Sequence, residues 1–318
     1  MAETVKEVEE QPPTPLSDLP HGTVQASEGR GFATAWVGQY LLPVVVIALF
    51  LLMWQLVPPW VGLHSYELPT LGDTITGMRD DWGDIGIALL VTLQDALAGF
   101  IIGNALAILG ATLFSYSSNA ERAFYPLAIV VQTIPILVYA PLLSIIFFRL
   151  PFFNNNSQGA AVVGVAVLIT FFPTLVNMTV GFKTVDPRVL ELMRLLNASR
   201  TQIFLKLRFP SALPFLFSSL KITVTLSFVG ALVGEYMVGG AFNPIGTALD
   251  NAGLHTILGF QTNPFSLEGV GGLMQILYSR LDKPGIFAAV LAVSMMTILF
   301  FGLMVLLEKL LVPWRVQD

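Results

Sequence analysis

Few side chains in this chain of 318 residues are arranged for covalent chemistry. It has no G-x-x-x-x-G-K-[ST] run to cradle phosphates and no G-x-S-x-G turn to present a serine. His21, His64 and His255 lie far apart without ligand spacing, and cysteine is absent, so neither a metal centre, a cofactor nor a thiol reaction is expected. The conspicuous residues are polar groups inside apolar runs: Asp95, Gln132, Thr133, Asn177 and Glu235. Such groups are costly at membrane depth, so each needs a reason to be there. One reason is a polar path across the membrane. The other is structural, and it differs between residues. Asp95 would be a carboxylate near the outer interface, solvated or paired with a loop base. Glu235 would hold a neighbouring helix. Gln132, Thr133 and Asn177 would link helices by hydrogen bonds worth about 1 kcal/mol each. Lys221 is expected to snorkel to the cytosolic interface.

The elements that position these groups are membrane spans. The chain is 54% hydrophobic and 12% charged, the composition of an all-α polytopic membrane protein. A spanning helix needs about 20 apolar residues. Six runs qualify: Leu41–Val57, Leu89–Phe114, Ala123–Phe148, Ala160–Phe182, Ala212–Val238 and Ile286–Val312. Gly99 with Gly103, and Gly230 with Gly234, give two of them a close-packing face. Pro126, Pro135 and Pro141 should interrupt the third run and Pro173 the fourth, either opening a cavity or merely bending the helix.

Positive charge sets the expected orientation. With the N-terminus inside, the inner segments carry Lys6, Arg30, Arg122, Lys183, Arg188, Arg194, Arg200, Lys206, Arg208, Lys309 and Arg315. The outer loops carry Arg79, Arg149, Arg280 and Lys283. The excess inside places both termini in the cytoplasm. Residues 1–35 hold six acids against two bases and lack an apolar period, which reads as a disordered tail before a domain over 36–318. No basic region precedes the first apolar run, so that run is expected to be a retained anchor rather than a cleaved signal.

Six of the basic residues lie in or beside a polar island over 186–214, DPRVLELMRLLNASRTQIFLKLRFPSALP. Its interior reads as two short helices. Asp186 is an N-cap with Pro187 at the first helical position. Asn197 can stop that helix in the left-handed conformation. Ser199 and Gln202 then form a capping box for a second helix, and Pro210 and Pro214 mark the return to the membrane.

The same run resembles the EAA signature of the permeases of bacterial ABC importers. Glu191-Leu192-Met193 stands at E-A-A, Asn197-Ala198-Ser199 at G-A-S, and Phe209-Pro210-Ser211-Ala212-Leu213-Pro214 at the L-P-x-A-L-P tail. Leu192, Met193 and Asn197 depart from the small residues usual there. Leu68-Pro69-Thr70 resembles the L-P-S/T-P run of sulfonate, taurine and nitrate permeases. Thr92-Leu93-Gln94-Asp95-Ala96-Leu97-Ala98-Gly99-Phe100 is similar to a family run that normally has arginine at the place of Asp95.

The resemblance implies a type I ABC importer permease architecture with about six transmembrane helices and a cytosolic coupling helix in the 183–214 loop. It implies that Asp186, Glu191, Arg194, Asn197, Ala198, Ser199, Phe204, Pro210 and Pro214 serve coupling to an ATPase. Asp95, Gln132, Thr133, Asn177 and Glu235, singled out above by their depth in apolar runs, are the candidates for the translocation path. The implied partners are two ABC ATPase subunits, an extracytoplasmic substrate-binding protein on the outer loops, a second copy of the chain and membrane lipid, with no nucleic acid. The implied location is the inner or plasma membrane, and the implied solute is small and polar or heterocyclic, such as a sulfonate, nitrate or a thiamine precursor. ATP hydrolysis would belong to the partner. The main rival is a carrier driven by an ion gradient, which would show an internal repeat and paired ionisable groups at the midplane. A further alternative makes the 186–211 loop an amphipathic element on the membrane surface. The stretch Gly271–Leu281 is expected to be a short amphipathic helix on the outer face.

Overall fold

The computed structural model describes residues 31–64, 67–151, 157–239 and 268–312, with side chains from Leu41 onward. Most of the expected tail, two of the three histidines and most of the long loop after residue 239 lie outside these residues. Among the described residues every regular element is helical. The chain divides into two units. The first, residues 1–53, contains most of α1 (Gly31–Val61), whose side chains over Leu41–Met53 are largely exposed apolar groups.

The second unit, residues 54–318, holds the remaining helices. These are α2 (Leu71–Asp80), α3 (Trp82–Tyr116), α4 (Ser118–Gln132), α5 (Ile136–Arg149), α6 (Ser157–Lys183), α7 (Pro187–Leu195), α8 (Arg200–Ile203), α9 (Phe209–Val238), α10 (Val270–Ser279) and α11 (Lys283–Leu311). Five helical stretches are long and apolar enough to cross a membrane: Leu41–Val61, α3, α6, Arg200–Val238 and α11.

The expected third span is not one helix. α4 and α5 meet at 107°. Of its three prolines, only Pro135 stands at the break, with ψ 131. The residue before a proline is pushed away from helical geometry, which here stops α4 at Gln132. The Thr133 N–H and hydroxyl both turn back onto the Val130 carbonyl, at 3.1 and 2.7 Å. The Tyr139 hydroxyl donates to the Val131 carbonyl across the bend. Pro126, Pro141 and Pro173 sit inside helices that continue past them.

The middle of the second unit is the contact of α6 with α3 and α9. The two glycine pairs form it. A Cβ on Gly99 would overlap that of Ala166, and one on Gly103 would overlap the Thr170 hydroxyl. On the other flank, a Cβ on Gly230 would lie 2.8 Å from Ala166 Cα, and one on Gly234 2.9 Å from Val162 Cα. One stretch of α6, Val162 to Thr170, is therefore gripped from two sides by bare backbone. Thr170 takes advantage of this approach: its hydroxyl lies 3.2 Å from the Gly99 carbonyl. Two apolar clusters extend from the contact. One, around Ile85, Phe228, Val270 and Ala289, joins α3, α9, α10 and α11. The other, around Phe114, Leu175, Phe182 and Phe204, joins α3, α6 and the start of the 200–238 helix.

Lys221 is paired: its ammonium meets the Glu308 carboxylate of α11 at 2.7 Å, and both side chains are largely buried. α10 is amphipathic: Val270, Gly271, Gly272, Leu273 and Leu277 are buried, while Gln275, Ile276, Tyr278 and Ser279 are exposed. Gly271 comes so close to α9 that a Cβ there would stand 2.6 Å from the Leu232 carbonyl oxygen.

The packing predicts that Gly230→Val will cost about 1–3 kcal/mol of stability. Gly302→Val on α11, where a Cβ would meet nothing within 4 Å, should be neutral. Thermal unfolding of the two variants in the same detergent separates them.

Candidate functional site

The 183–214 loop is built by local capping. Asp186 accepts from the Arg188 N–H at 2.8 Å and starts α7 behind Pro187. Asn197 has φ 53, the left-handed conformation in which Asn is the commonest substitute for Gly. Around it the Asn197 N–H bonds the Arg194 carbonyl and the Ala198 N–H bonds the Met193 carbonyl, both at 3.0 Å. This pair of bonds is a Schellman stop. Ser199 and Gln202 then form both arms of a capping box, at 2.8 and 3.2 Å. Turn and start follow each other without a free residue, so the angle between α7 and α8 is set by the backbone.

The second short helix does not end at Pro210. The helix runs on from Arg200 through a π-helical segment, Phe204–Arg208, into α9. Pro210 lacks the N–H that would close an α-helical bond to Lys206, which lies in the π segment, whereas Pro214 is carried inside α9. Phe204, expected among the coupling residues, is buried inside the chain, its ring 5.2 Å from Tyr116 and 5.3 Å from Phe182. The Arg208 guanidinium donates to the carbonyl and hydroxyl of Ser115 at 3.0 and 2.9 Å. These two residues fasten the loop to the end of α3. On its free side α7 leaves Val189, Leu192, Leu195 and Leu196 exposed, at 39, 55, 80 and 72%. Those positions share one helical face, and none of the described residues covers it.

A second arrangement surrounds Glu235. Both it and Asp95 are fully buried, and the two carboxyl groups are neighbours. Asp95 is therefore not the solvated interfacial carboxylate that its position suggested. Glu235 Oε2 also accepts from the Thr92 hydroxyl and from the Gly271 N–H, each at 2.9 Å. Thr92 Oγ1 accepts from the Val270 N–H at 2.8 Å. Two side chains from α3 and α9 thus take the first two N–H groups of α10, which its own turn cannot satisfy. An acid is favoured at that helix end by the dipole as well.

Residues 99–313 match the family of binding-protein-dependent transport system inner membrane components. The chain belongs to this family, the permeases of ABC importers. It is 31% identical over 282 residues to the formylaminopyrimidine transport permease protein ThiX of Halalkalibacterium halodurans, covering 87% of this chain and 97% of that one. It is 29% identical over 279 residues to the riboflavin transport system permease protein RibX of Chloroflexus aurantiacus, covering 86% and 90%. With the nitrate import permease protein NrtB of a Synechocystis species it shares 29% identity over 213 residues, 62% of this chain and 72% of that one.

In this permease the remaining sequence candidates are separated. Asn177 donates to the Pro173 carbonyl of its own helix at 3.0 Å, and Thr133 serves the bend already described. Gln132 is exposed and lines a cavity of about 260 Å³ at the break between α4 and α5, walled by Tyr139, Phe172, Pro173 and Leu226. The polar link between helices falls on a residue that sequence reasoning passed over. Asn104, nearly fully buried on α3, accepts from Thr174 of α6 at 2.6 Å and from Thr223 of α9 at 3.3 Å. Its place mid-way along an apolar run was the available signal. On the far side of the permease, Asp81 at the start of α3 lies near Asp282 at the start of α11. Partial burial first, then the neighbouring Asp282, Asp84 and Asp80 carboxylates, raise the Asp81 pKa.

Two outcomes follow for the permease. Glu235→Ala orphans the Gly271 N–H and should lower stability by about 1–3 kcal/mol, with faster backbone hydrogen exchange over 268–279. Glu235→Gln keeps an acceptor for that N–H and should show most of the native protection. Asn197→Gly should leave unfolding unchanged, whereas Asn197→Val should cost about 1–2 kcal/mol for the left-handed backbone.

Proposed function

We propose that the chain is the membrane-spanning subunit of an ATP-driven importer of small solutes, and that two identical copies build one pathway. An ATPase subunit docks on each 183–214 loop from the cytosol, and an extracytoplasmic binding protein delivers the solute at the opposite face. Both termini are cytoplasmic in this arrangement. Coupling involves Asp186, Glu191, Arg194, Ala198 and Ser199 around α7, while Phe204, Pro210 and Pro214 secure the loop to the bundle.

One observation carries the reading. α7 is a short helix, rigidly capped at both ends, that presents Val189, Leu192, Leu195 and Leu196 uncovered beside the charges of Arg188, Glu191 and Arg194. An apolar stripe on a preorganised helix is the form that fits a groove on another protein. Leu192 and Leu196, which replace or follow the small residues usual in the signature, belong to that stripe. The bulk at these positions enlarges the contact.

For the solute, a planar nitrogen heterocycle is favoured over an inorganic anion. ThiX and RibX, named for a pyrimidine and for riboflavin, align over nearly their whole length, whereas NrtB aligns over less. The cavity beside the α4–α5 bend offers an amide from Gln132 with the rings of Tyr139 and Phe172, and it contains no cation among the described residues that line it. A flat ring can stack there and bond the amide at its edge.

The gradient-driven carrier retains one point in its favour, the buried Asp95–Glu235 pair. Glu235 is, however, engaged in seating α10, which gives it a structural duty without ion transport. Uptake in proteoliposomes distinguishes the two: the importer needs ATP inside and partner subunits, whereas the carrier follows an imposed ion gradient alone. For the docking surface, Leu195→Asp should reduce recovery of the ATPase subunit roughly tenfold, about 1.4 kcal/mol, without changing the amount of permease in the membrane. Unaltered recovery and uptake would remove α7 from the interface.

A further inference from the structure

Behind α7, on the side away from its exposed leucines, is a cavity of about 430 Å³. Arg194 from the last turn of α7, Arg200 from the first residue of α8 and Arg208 from the π segment all line it, together with Ser115 and Tyr116 at the end of α3. Among the described residues lining it, none is acidic. Three guanidinium groups therefore share one enclosure without a carboxylate.

The surroundings make this unusual for the chain. The adjoining cavity, which shares Ser115, Leu190 and Arg208 with the first, contains Lys183 already paired with Glu121. Lys221 is likewise paired with Glu308. Arg208 is held by neutral oxygens of Ser115, which orient it but leave its charge uncompensated. Arg194 and Arg200 have neither a hydrogen bond nor an ion pair from their side chains among the described residues. Like charges gathered in a partly enclosed space repel one another more strongly than in open water. The capping that fixes the α7–α8 angle keeps them together regardless, since Arg194 and Arg200 flank the Schellman stop and the capping box.

We propose that this cavity is a binding site for a phosphate-bearing anion, held by Arg194, Arg200 and Arg208 with the Ser115 hydroxyl as a further ligand. Guanidinium forks match phosphate oxygens in pairs, and three of them oppose the charge of one phosphate group. The cavity is lined by Tyr116 at the end of α3 and by Arg208 one residue before α9, and the phosphate could belong to a phospholipid headgroup or to a free phosphate. Because the anion touches α3, α7 and α8 together, it would stiffen the joint through which the loop is attached.

The experiment uses the full chain in nanodiscs. One arm contains only phosphatidylcholine and is titrated with inorganic phosphate by calorimetry. The other contains phosphatidylglycerol, and native mass spectrometry counts the anionic lipid retained per chain. The site predicts saturable binding in at least one arm, the responding arm identifying the source. Arg194→Gln and Arg200→Gln should each weaken that binding about tenfold, Arg200→Lys should restore part of it, and Lys206→Gln, on the loop but outside the cavity, should leave it unchanged. Should a glutamine variant fail to fold, the comparison of Arg200→Lys with Lys206→Gln still decides. No binding in either arm overturns the site. Equal weakening by Lys206→Gln overturns it in favour of a diffuse basic surface. Loss of the co-purified ATPase in the arginine variants with anion binding intact overturns it in favour of a protein contact.

Discussion

The bundle depends on the backbone-to-backbone approach of α6 to α3 and α9. Helices in lipid gain nothing from excluding water between them, so close packing and internal hydrogen bonds must hold them. Gly99 and Gly103 on one flank and Gly230 and Gly234 on the other let α6 in to distances that a methyl group would prevent. Once there, the hydroxyls of Thr170 and Thr174 reach the Gly99 carbonyl and Asn104, and Thr223 completes the node from α9. The close approach that the glycines allow brings these polar groups within reach of one another.

On this base the 200–238 helix links two ends of the bundle. It is continuous over 39 residues, about 58 Å at the α-helical rise. One end is the capped joint to α7, fixed to α3 by Arg208 and by the Phe204 ring. Towards the other end Glu235 holds the N-terminus of α10 through Gly271, with Thr92 and Asp95 of α3 beside it. α9 therefore connects the α7 joint to a short helix at its other end. The π segment at Phe204–Arg208 is the one departure from α geometry along it.

Much of this was legible in the sequence. The caps at Asp186, Asn197 and Ser199 were readable because each rests on two or three neighbouring residues, as were the G-x-x-x-G faces, which depend on spacing alone. The bend at Pro135 was foreseen as an interruption but not as a turn of 107°, since Pro126, Pro141 and Pro173 carry the same local signal and do not break their helices. The burial of Asp95, the pairing of Lys221 with Glu308 and the role of Asn104 were not legible, because each partner lies 70 or more residues away. For the same reason the run into α9 hid its continuity. Pro210 and Pro214 read as a stop, and a single widened turn removes the conflict.

The central claim is that the free face of α7 is where an ATPase subunit attaches. Because the chain has no cysteine, the substitution Leu195→Cys introduces a single thiol on that face without background. A maleimide carrying a photoreactive benzophenone, which inserts into C–H bonds of any neighbouring chain, would then be attached to that thiol in native membranes containing the whole transporter and irradiated. The account predicts a cross-linked product joining this chain to an ATP-hydrolysing subunit, with a yield that changes when nucleotide is added. A Leu195→Cys variant whose thiol reacts freely with soluble maleimide, gives no such product and leaves ATP-dependent uptake untouched after labelling would contradict it.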